Sequence, residues 1–302
     1  MATDTTQLAD WQIDVGGVLI GHGTDVLIED IDGIGTPERR TGDRPIAGED
    51  GNYPGRDTYA PRTLRITAGI RTPGNPGAAL DRLAELERAA DTKVRLTPGA
   101  FDVLRIRRPG QPVRRQYGRL AGVEAVSLAG APFGWIPVHI TFVALDPAWY
   151  ADSTTGLNLG LDVSARRGQG FTAPLRAPMT TGTADPKARP GWAVNTGNRP
   201  TWPTIRITGP VVNPKVRIEG TDAVLELAVV LGDGETIDIE TRPGTRTVIR
   251  NELGSAAGAL TRASRLDQFR IPPGRSEVRW TAQDATGTSR LALTWRDASS
   301  SL

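Results

Sequence analysis

Few side chains in this sequence have a type and spacing that could carry out chemistry, and they are scattered. The two histidines, His22 and His139, lie far apart, so no H-E-x-x-H pair can share a helix turn. With His22 as the only other histidine, His139 is expected to be structural rather than a metal ligand. The run Glu29-Asp30-Ile31-Asp32-Gly33 begins like a calcium loop, but no carboxylate follows at the distal offset such a loop needs. A facing pair of carboxylates for glycoside hydrolysis is defined in space rather than in sequence, and that possibility stays open. The pair on one strand face, Asp238 and Glu240, is already explained by strand alternation. The stretch LGSAAG at 253–258 has the wrong spacing for a G-x-S-x-G nucleophile turn, and none of the lysines, at 93, 187 and 215, follows a phosphate-binding loop. The absence of cysteine excludes disulfides and cysteine-bound zinc. No catalytic residue, metal or cofactor is expected. Among the seven tryptophans, Trp280 and Trp295 are expected in a core; Trp202, between Pro200 and Pro203, is open to either a core or a stacking role.

What remains is architecture. The chain has 302 residues, enough for two domains with cores of their own. Its 35 glycines and 23 prolines are spread between short alternating runs, which implies many turns and a mainly β fold. Net charge is only +2, with arginine and acidic residues interleaved. The one local basic run, RIRRPGQPVRRQYGR at 105–119, reads as a solvated hairpin or subunit contact rather than a phosphate track, so no nucleic-acid specificity is expected. The N-terminal stretch has no basic and apolar signal-peptide pattern, and apolar runs such as AVVL at 228–231 are too short to cross a bilayer; neither export nor membrane insertion is expected.

Residues 1–150 read as one β domain. A meander of short strands covers 11–35, with Leu27, Glu29 and Ile31 opposed to Val26, Ile28 and Asp30 in its third strand. A clean strand follows at 62–71, with Leu64, Ile66 and Ala68 on one face. Asn75-Pro76 then caps a helix over 76–90. Its apolar stripe is expected at Leu80, Leu83 and Leu86, widened by Ala84 and Ala90, with Glu85 and Arg88 paired on the wet face. Strands resume at 93–98, 101–108, 113–128 and 135–150; the last puts Val138, Ile140, Phe142 and Ala144 on one side. Residues 151–190 read as a linker, with extended pieces returning to the first sheet. Residues 191–302 read as a β-sandwich, in which 222–250 is a three-strand meander with tight turns at Asp233-Gly234 and Pro243-Gly244.

The segment 36–62, TPERRTGDRPIAGEDGNYPGRDTYAPR, fits no period and is long for a loop in a compact domain. It is expected to be an arm that gains order against a neighbouring subunit. Its subunit-contact candidates are Arg39, Arg40, Asp43, Arg44, Tyr53, Asp57 and Arg62; a solvated loop explains the same interleaved charges equally well.

One pattern runs through the whole chain. The order GNRPTWPTIRITGPVVNPKV, GDGETIDIETRPGTRTV, FRIPPGRSEVRWTA, after the arm GEDGNYPGRD, the strand TLRITAGI, a short helix and the strand end FVALDPAWY, resembles the distal tail proteins of long-tailed phages with non-contractile tails. The resemblance implies an N-terminal split-barrel-like β domain with one short helix and a C-terminal galectin-like β-sandwich. It implies a non-enzymatic virion component at the tail tip: a homo-oligomeric, six-membered ring joining the tail tube to the baseplate. The implied neighbours are the tail tube protein, the tape measure protein, the tail-tip hub and the receptor-binding proteins. The alternative is a carbohydrate-binding accessory module for host attachment. That reading requires an exposed aromatic platform on the sandwich, and the C-terminal part carries no long insertion that would read as an added sugar-binding module.

Overall fold

The computed structural model describes residues 7–91, 93–161, 191–284 and 286–302. It is mainly β and falls into two units, one of Met1–Asp152 with Ser299–Leu302 and one of Ser153–Ala298. Among the described residues no helix is long and apolar enough to cross a membrane.

The first unit contains β1 (Gln12–Val15), β2 (Val18–Gly21), β3 (Val26–Asp32) and four two-residue strands, β4 (Arg39–Arg40), β5 (Arg44–Pro45), β6 (Asn52–Tyr53) and β7 (Thr58–Tyr59). It continues with β8 (Arg62–Arg71), α1 (Pro76–Ala90), β9 (Asp102–Arg107), β10 (Arg114–Ala125), β11 (Trp135–Ala144) and β12 (Trp149–Ala151). The main sheet runs β2-β1-β9-β10-β11-β8-β3, and β12 pairs with β10. The long β8–β11 ladder sets Leu64, Ile66 and Ala68 opposite Phe142, Ile140 and Val138, and all six side chains are buried. Complete burial of one such large apolar side chain contributes about 2 kcal/mol, so this ladder forms the spine of the core. The sheet curls until β2 and β3, its two ends, lie side by side, yet they share no ladder. The barrel is split along that seam.

The meander expected over 11–35 is therefore wrong after β2. β1 and β2 form a hairpin, but β3 pairs with β8 at the far end of the sheet. A bulge between Ile28 and Asp30 also resets the alternation in β3. Val26, Ile28 and Ile31 stand opposite Ile70, Ala68 and Ile66, so Ile31 shares the face of Val26 and Ile28.

Helix α1 starts where its cap dictates. The Asn75 Oδ1 accepts from the Ala78 N–H at 3.0 Å, and Pro76 occupies the first turn. Its buried stripe is Ala79, Leu83, Leu86 and Ala89, while Leu80 and Ala84 are exposed. The small Ala79 lets the helix approach the sheet, turning Leu80 outward. The expected Glu85–Arg88 pair is replaced by Arg82, which pairs with Glu85 and, at 3.0 Å, with Asp25. The strand expected at 93–98 is a 3-10 turn over Lys93–Arg95. Both edges of β9 are already taken, by β1 and β10, so the run has no ladder to join there.

The second unit contains β13 (Thr155–Gly160), β14 (Trp192–Asn195), β15 (Thr204–Thr208), β16 (Val211–Ile218), β17 (Val224–Glu226) and β18 (Val230–Leu231). It ends with β19 (Thr236–Glu240), β20 (Thr247–Arg250), β21 (Gly254–Ser255), β22 (Gly274–Gln283) and β23 (Arg290–Trp295). One sheet runs β13-β23-β15-β19-β20-β21; the other runs β14-β22-β16-β17, with β18 also on β16. Ile205, Ile237 and Leu293 from the first and Val216, Val278 and Trp280 from the second meet in one core, which makes the unit a sandwich. Pro243-Gly244 turns the β19–β20 hairpin as expected. Asp233-Gly234 does not turn a hairpin: it carries the chain from β18 in one sheet to β19 in the other, so 222–250 is no simple meander. Within the expected linker, Thr155–Gly160 joins the second unit's sheet, not the first. Leu157 and Leu159 pair in register with Leu293 and Leu291, where their alternation is buried. Residues 162–190 of that linker lie outside the described residues.

Candidate functional site

The arm is the part of the first unit that does not serve its own core. β4 pairs with β7, setting Arg39 opposite Tyr59 and Arg40 opposite Thr58. Farther out, β5 pairs with β6, setting Arg44 opposite Tyr53 and Pro45 opposite Asn52. Between the two ladders, residues 41–43 face residues 54–57, one residue more. There the strands cross at two glycines: a Cβ on Gly55 would lie 2.0 Å from the Gly42 carbonyl oxygen. Asp43 stabilises the crossing by accepting from the Gly55 N–H at 2.7 Å. From Gly35 to Tyr59 every residue is exposed except the half-buried Pro37 and Ile46. A two-stranded hairpin with no face to bury is marginal by itself.

Its root is firm. Arg62, expected among the exposed contacts, is instead the first residue of β8 and only 3% exposed. Its guanidinium donates to the carbonyls of Gly33 and Pro147, each at 3.2 Å, and to those of Ile34 and Gly35 at shorter range. The charge sits 5.6 Å from the centre of the Trp149 ring. One buried cation thus ties the outgoing root of the arm, at 33–35, to its returning root and to the core. The signal lay in the alternation: Arg62 shares strand parity with Leu64, Ile66 and Ala68. It does not belong to the contact surface.

The other candidates stay on the arm. Among the described residues Arg39, Arg40, Arg44, Arg56 and Asp57 form no ion pair or side-chain hydrogen bond within the chain, and Tyr53 is 62% exposed. The structure groups Arg39 and Arg40 near the root, Arg44 and Tyr53 near the tip, and Asp43 and Asp57 at the crossing.

The basic run at 105–119 has a different fate. It is the β9–β10 hairpin, and four of its six arginines are held within the unit. Arg105, 3% exposed, reaches Asp14 at 3.2 Å and Asp152 at 2.9 Å, while Arg115 donates to Asp152 at 2.8 Å. Burial raises the Asp152 pKa, but the two guanidinium groups outweigh it and hold the carboxyl below its usual range. Arg107 pairs with Asp10 at 2.9 Å, and Arg108 donates to the Leu302 carbonyl.

The residues weighed for chemistry come apart in space. Among the described residues no group of three or more metal-ligating side chains converges. Asp238 is held by Arg206 across the β15–β19 ladder at 2.6 Å, and Glu240 accepts from Thr204 at 3.1 Å. The His139 Nδ1 lies 3.4 Å from the Thr67 hydroxyl on the neighbouring strand. In the sandwich, Trp280 and Trp295 fill the core. The half-buried Trp192 and Trp202 are faced by the guanidinium groups of Arg275 and Arg246, at 3.9 and 5.9 Å from the ring centres.

No protein-family model matches this chain, and no curated protein does. Solved structures match it over nearly its full length. SPP1 Dit, described as a paradigm of the hub adsorption apparatus in phages that infect Gram-positive hosts, is 15% identical with a TM-score of 0.60, covering 94% of this chain and 97% of Dit. A chain of the phage P2 baseplate in its activated conformation with calcium is 11% identical at a TM-score of 0.54, covering 94% and 96%. The strontium form of that baseplate gives 12% and 0.51, with the same coverage. The chain therefore shares its fold, from the split barrel to the sandwich, with a phage hub protein and a phage baseplate component.

Proposed function

We propose that this chain is a structural component of a phage tail tip, forming a closed ring of six copies that joins the tail tube to the baseplate or receptor-binding apparatus. The observation that carries the reading is the agreement of fold with SPP1 Dit across both units, covering 94% of the chain. The exposed arm supports it: a firmly rooted hairpin that buries nothing of its own suits a subunit whose neighbours complete it. The tail tube protein, the tape measure protein, the hub and the receptor-binding proteins are the partners this role requires. The chain is assigned no catalysis.

Multi-angle light scattering and electron microscopy of the purified protein test this. A discrete oligomer with sixfold class averages is the expected result. A monomer at every concentration, with no ring when the tail tube protein is added, counts against it. A glycan array addresses the carbohydrate-binding alternative, which needs an aromatic platform that Trp192 and Trp202, each faced by an arginine, do not provide bare.

A further inference from the structure

Two side chains inside the first unit carry polar atoms that the chain itself does not satisfy. Gln116, near the start of β10, and Trp149, the first residue of β12, are both 0% exposed. Among the described residues neither the amide oxygen nor the amide nitrogen of Gln116 is hydrogen-bonded, and neither is the indole nitrogen of Trp149. Buried groups of this kind nearly always have a partner, because an orphan gives up its bond to solvent and gains nothing in return.

The strand register brings the orphans together. β10 and β12 set Arg114 opposite Ala151 and Arg115 opposite Tyr150, so the next rung of that ladder is Gln116 and Trp149. Tyr117 and Tyr150 meet edge-on at 5.3 Å on one face of the sheet. Side chains alternate along a strand, so their neighbours Gln116 and Trp149 both stand on the other face. That face is the barrel core, to which Trp149, Leu104 and Leu120 belong; Leu104 is directly opposite Gln116 on β9. Three hydrogen-bonding atoms are thus enclosed by apolar side chains.

A direct bond from the indole to the amide oxygen would leave the amide nitrogen bare, and the two side chains do not make it. The occupant has to accept from the indole N–H, donate to the amide oxygen and fit inside a packed core. Water does all three, and a polar site with two or more partners is where buried water is found. Nothing calls for an anion: the nearby Arg62 guanidinium already faces the carbonyls of Gly33, Ile34, Gly35 and Pro147.

We infer that the core of the split barrel binds an ordered water between Gln116 and Trp149, which accepts from the Trp149 indole N–H and donates to the Gln116 amide oxygen. The consequence is positional. The water fixes the setting of the Trp149 ring, and the Arg62 guanidinium that ties down the root of the arm lies 5.6 Å from the centre of that ring. Gln116 is a positioning residue for that root, acting through the water and Trp149.

Hydration NMR on the perdeuterated, 15N-labelled full chain tests this. Trp149→Phe, or sequential assignment, identifies the indole resonance. In the unaltered protein that N–H is expected to show cross-peaks to water of opposite sign in laboratory-frame and rotating-frame spectra, which marks a bound water and not proton exchange. Gln116→Met keeps the length of the side chain and removes both amide atoms. It is expected to abolish the cross-peak while the indole resonance itself remains; a Gln116 that only filled space would leave the cross-peak in place. An unaltered protein without the cross-peak, or a Met variant that keeps it, overturns the inference. So does a crystal structure in which the Gln116 amide bonds directly to the indole. The first measurement uses the unaltered chain and decides the matter even if the Met variant does not fold.

Discussion

The two units differ in where they bury charge: among the described residues Asp14, Arg62 and Arg105 are buried, all in the first unit. Several surface charges of the sandwich pair across neighbouring strands or turns: Arg206 with Asp238, Lys215 with Glu226, Arg250 with Glu235. Its core draws on both sheets. The split barrel also buries cations, Arg62 at the arm's root and Arg105 between Asp14 and Asp152. Cross-strand pairs on a wet face contribute little, and they complete the surface they occupy. Buried ion pairs are costly to desolvate and position what they hold. The contrast places the buried charge of the described residues in the split barrel, at the root of the arm and beneath the β9–β10 hairpin.

Excising the arm is the sharpest way to break this contrast. Replacing residues 36–59 with a short Gly-Ser link should abolish association while moving the melting temperature of the first unit by no more than a few degrees, because the removed residues bury almost nothing. A large loss of stability on calorimetry would show the arm to be part of its own domain's core.

Next in size come the interior changes, one for each unit. Trp280→Ala empties the sandwich core and removes the hydrogen bond from its indole N–H to the Gly160 carbonyl at 2.7 Å; it should cost about 4 kcal/mol by denaturant titration. Asp14→Ala strips one anion from the buried Arg105 and the acceptor from the Gly17 N–H, for about 3 kcal/mol. If the barrel loses nothing, its buried charges are not the positioning elements described above.

The smaller effects belong to the sandwich surface. The Glu235 carboxyl accepts from the Gly232 N–H and from Arg250 and Asn251, which hold its pKa at about 2 instead of 4.5. A carboxyl held below its unfolded value stabilises the fold fully above about pH 4.5, and that contribution disappears as the pH falls toward 2. Glu235→Gln should flatten this part of the stability profile in acid melts. Smallest of all, Arg206→Ala, at a half-exposed cross-strand pair, should cost less than about 1 kcal/mol. A value several times larger would mean that surface pairs hold the sandwich together after all.

How much of this could be read from the residues depends on how local each cause is. Alternation displayed β11 and β15 without ambiguity, because Val138, Ile140 and Phe142, or Ile205 and Ile207, each answer to one buried face. The Asn75 cap is equally local. The partner of β3 was not legible: it lies more than thirty residues on, and the bulge near Glu29 shifts the very parity used to find it. The sheet change at Asp233-Gly234 failed for a related reason, since a Gly turn is compatible both with a hairpin and with a crossing between layers. Leu80 misled because a helix stripe follows the surface it meets, and Ala79 fits that surface more closely. The arm was visible as a loss of period, but the seam was not, because its walls come from β1, β2 and β3 and become a groove only when the sheet curls.

The crossing at Gly42 and Gly55 has a mechanical meaning. A stiff rod fixed at one end multiplies every angular error at its base by its length, so a rigid arm would have to leave each barrel at one narrowly set direction. Here the two short ladders meet with backbone against backbone, and the Asp43 carboxylate fastens them. The direction of the outer segment is therefore set at that contact, and a side chain added at either glycine would redirect everything beyond it.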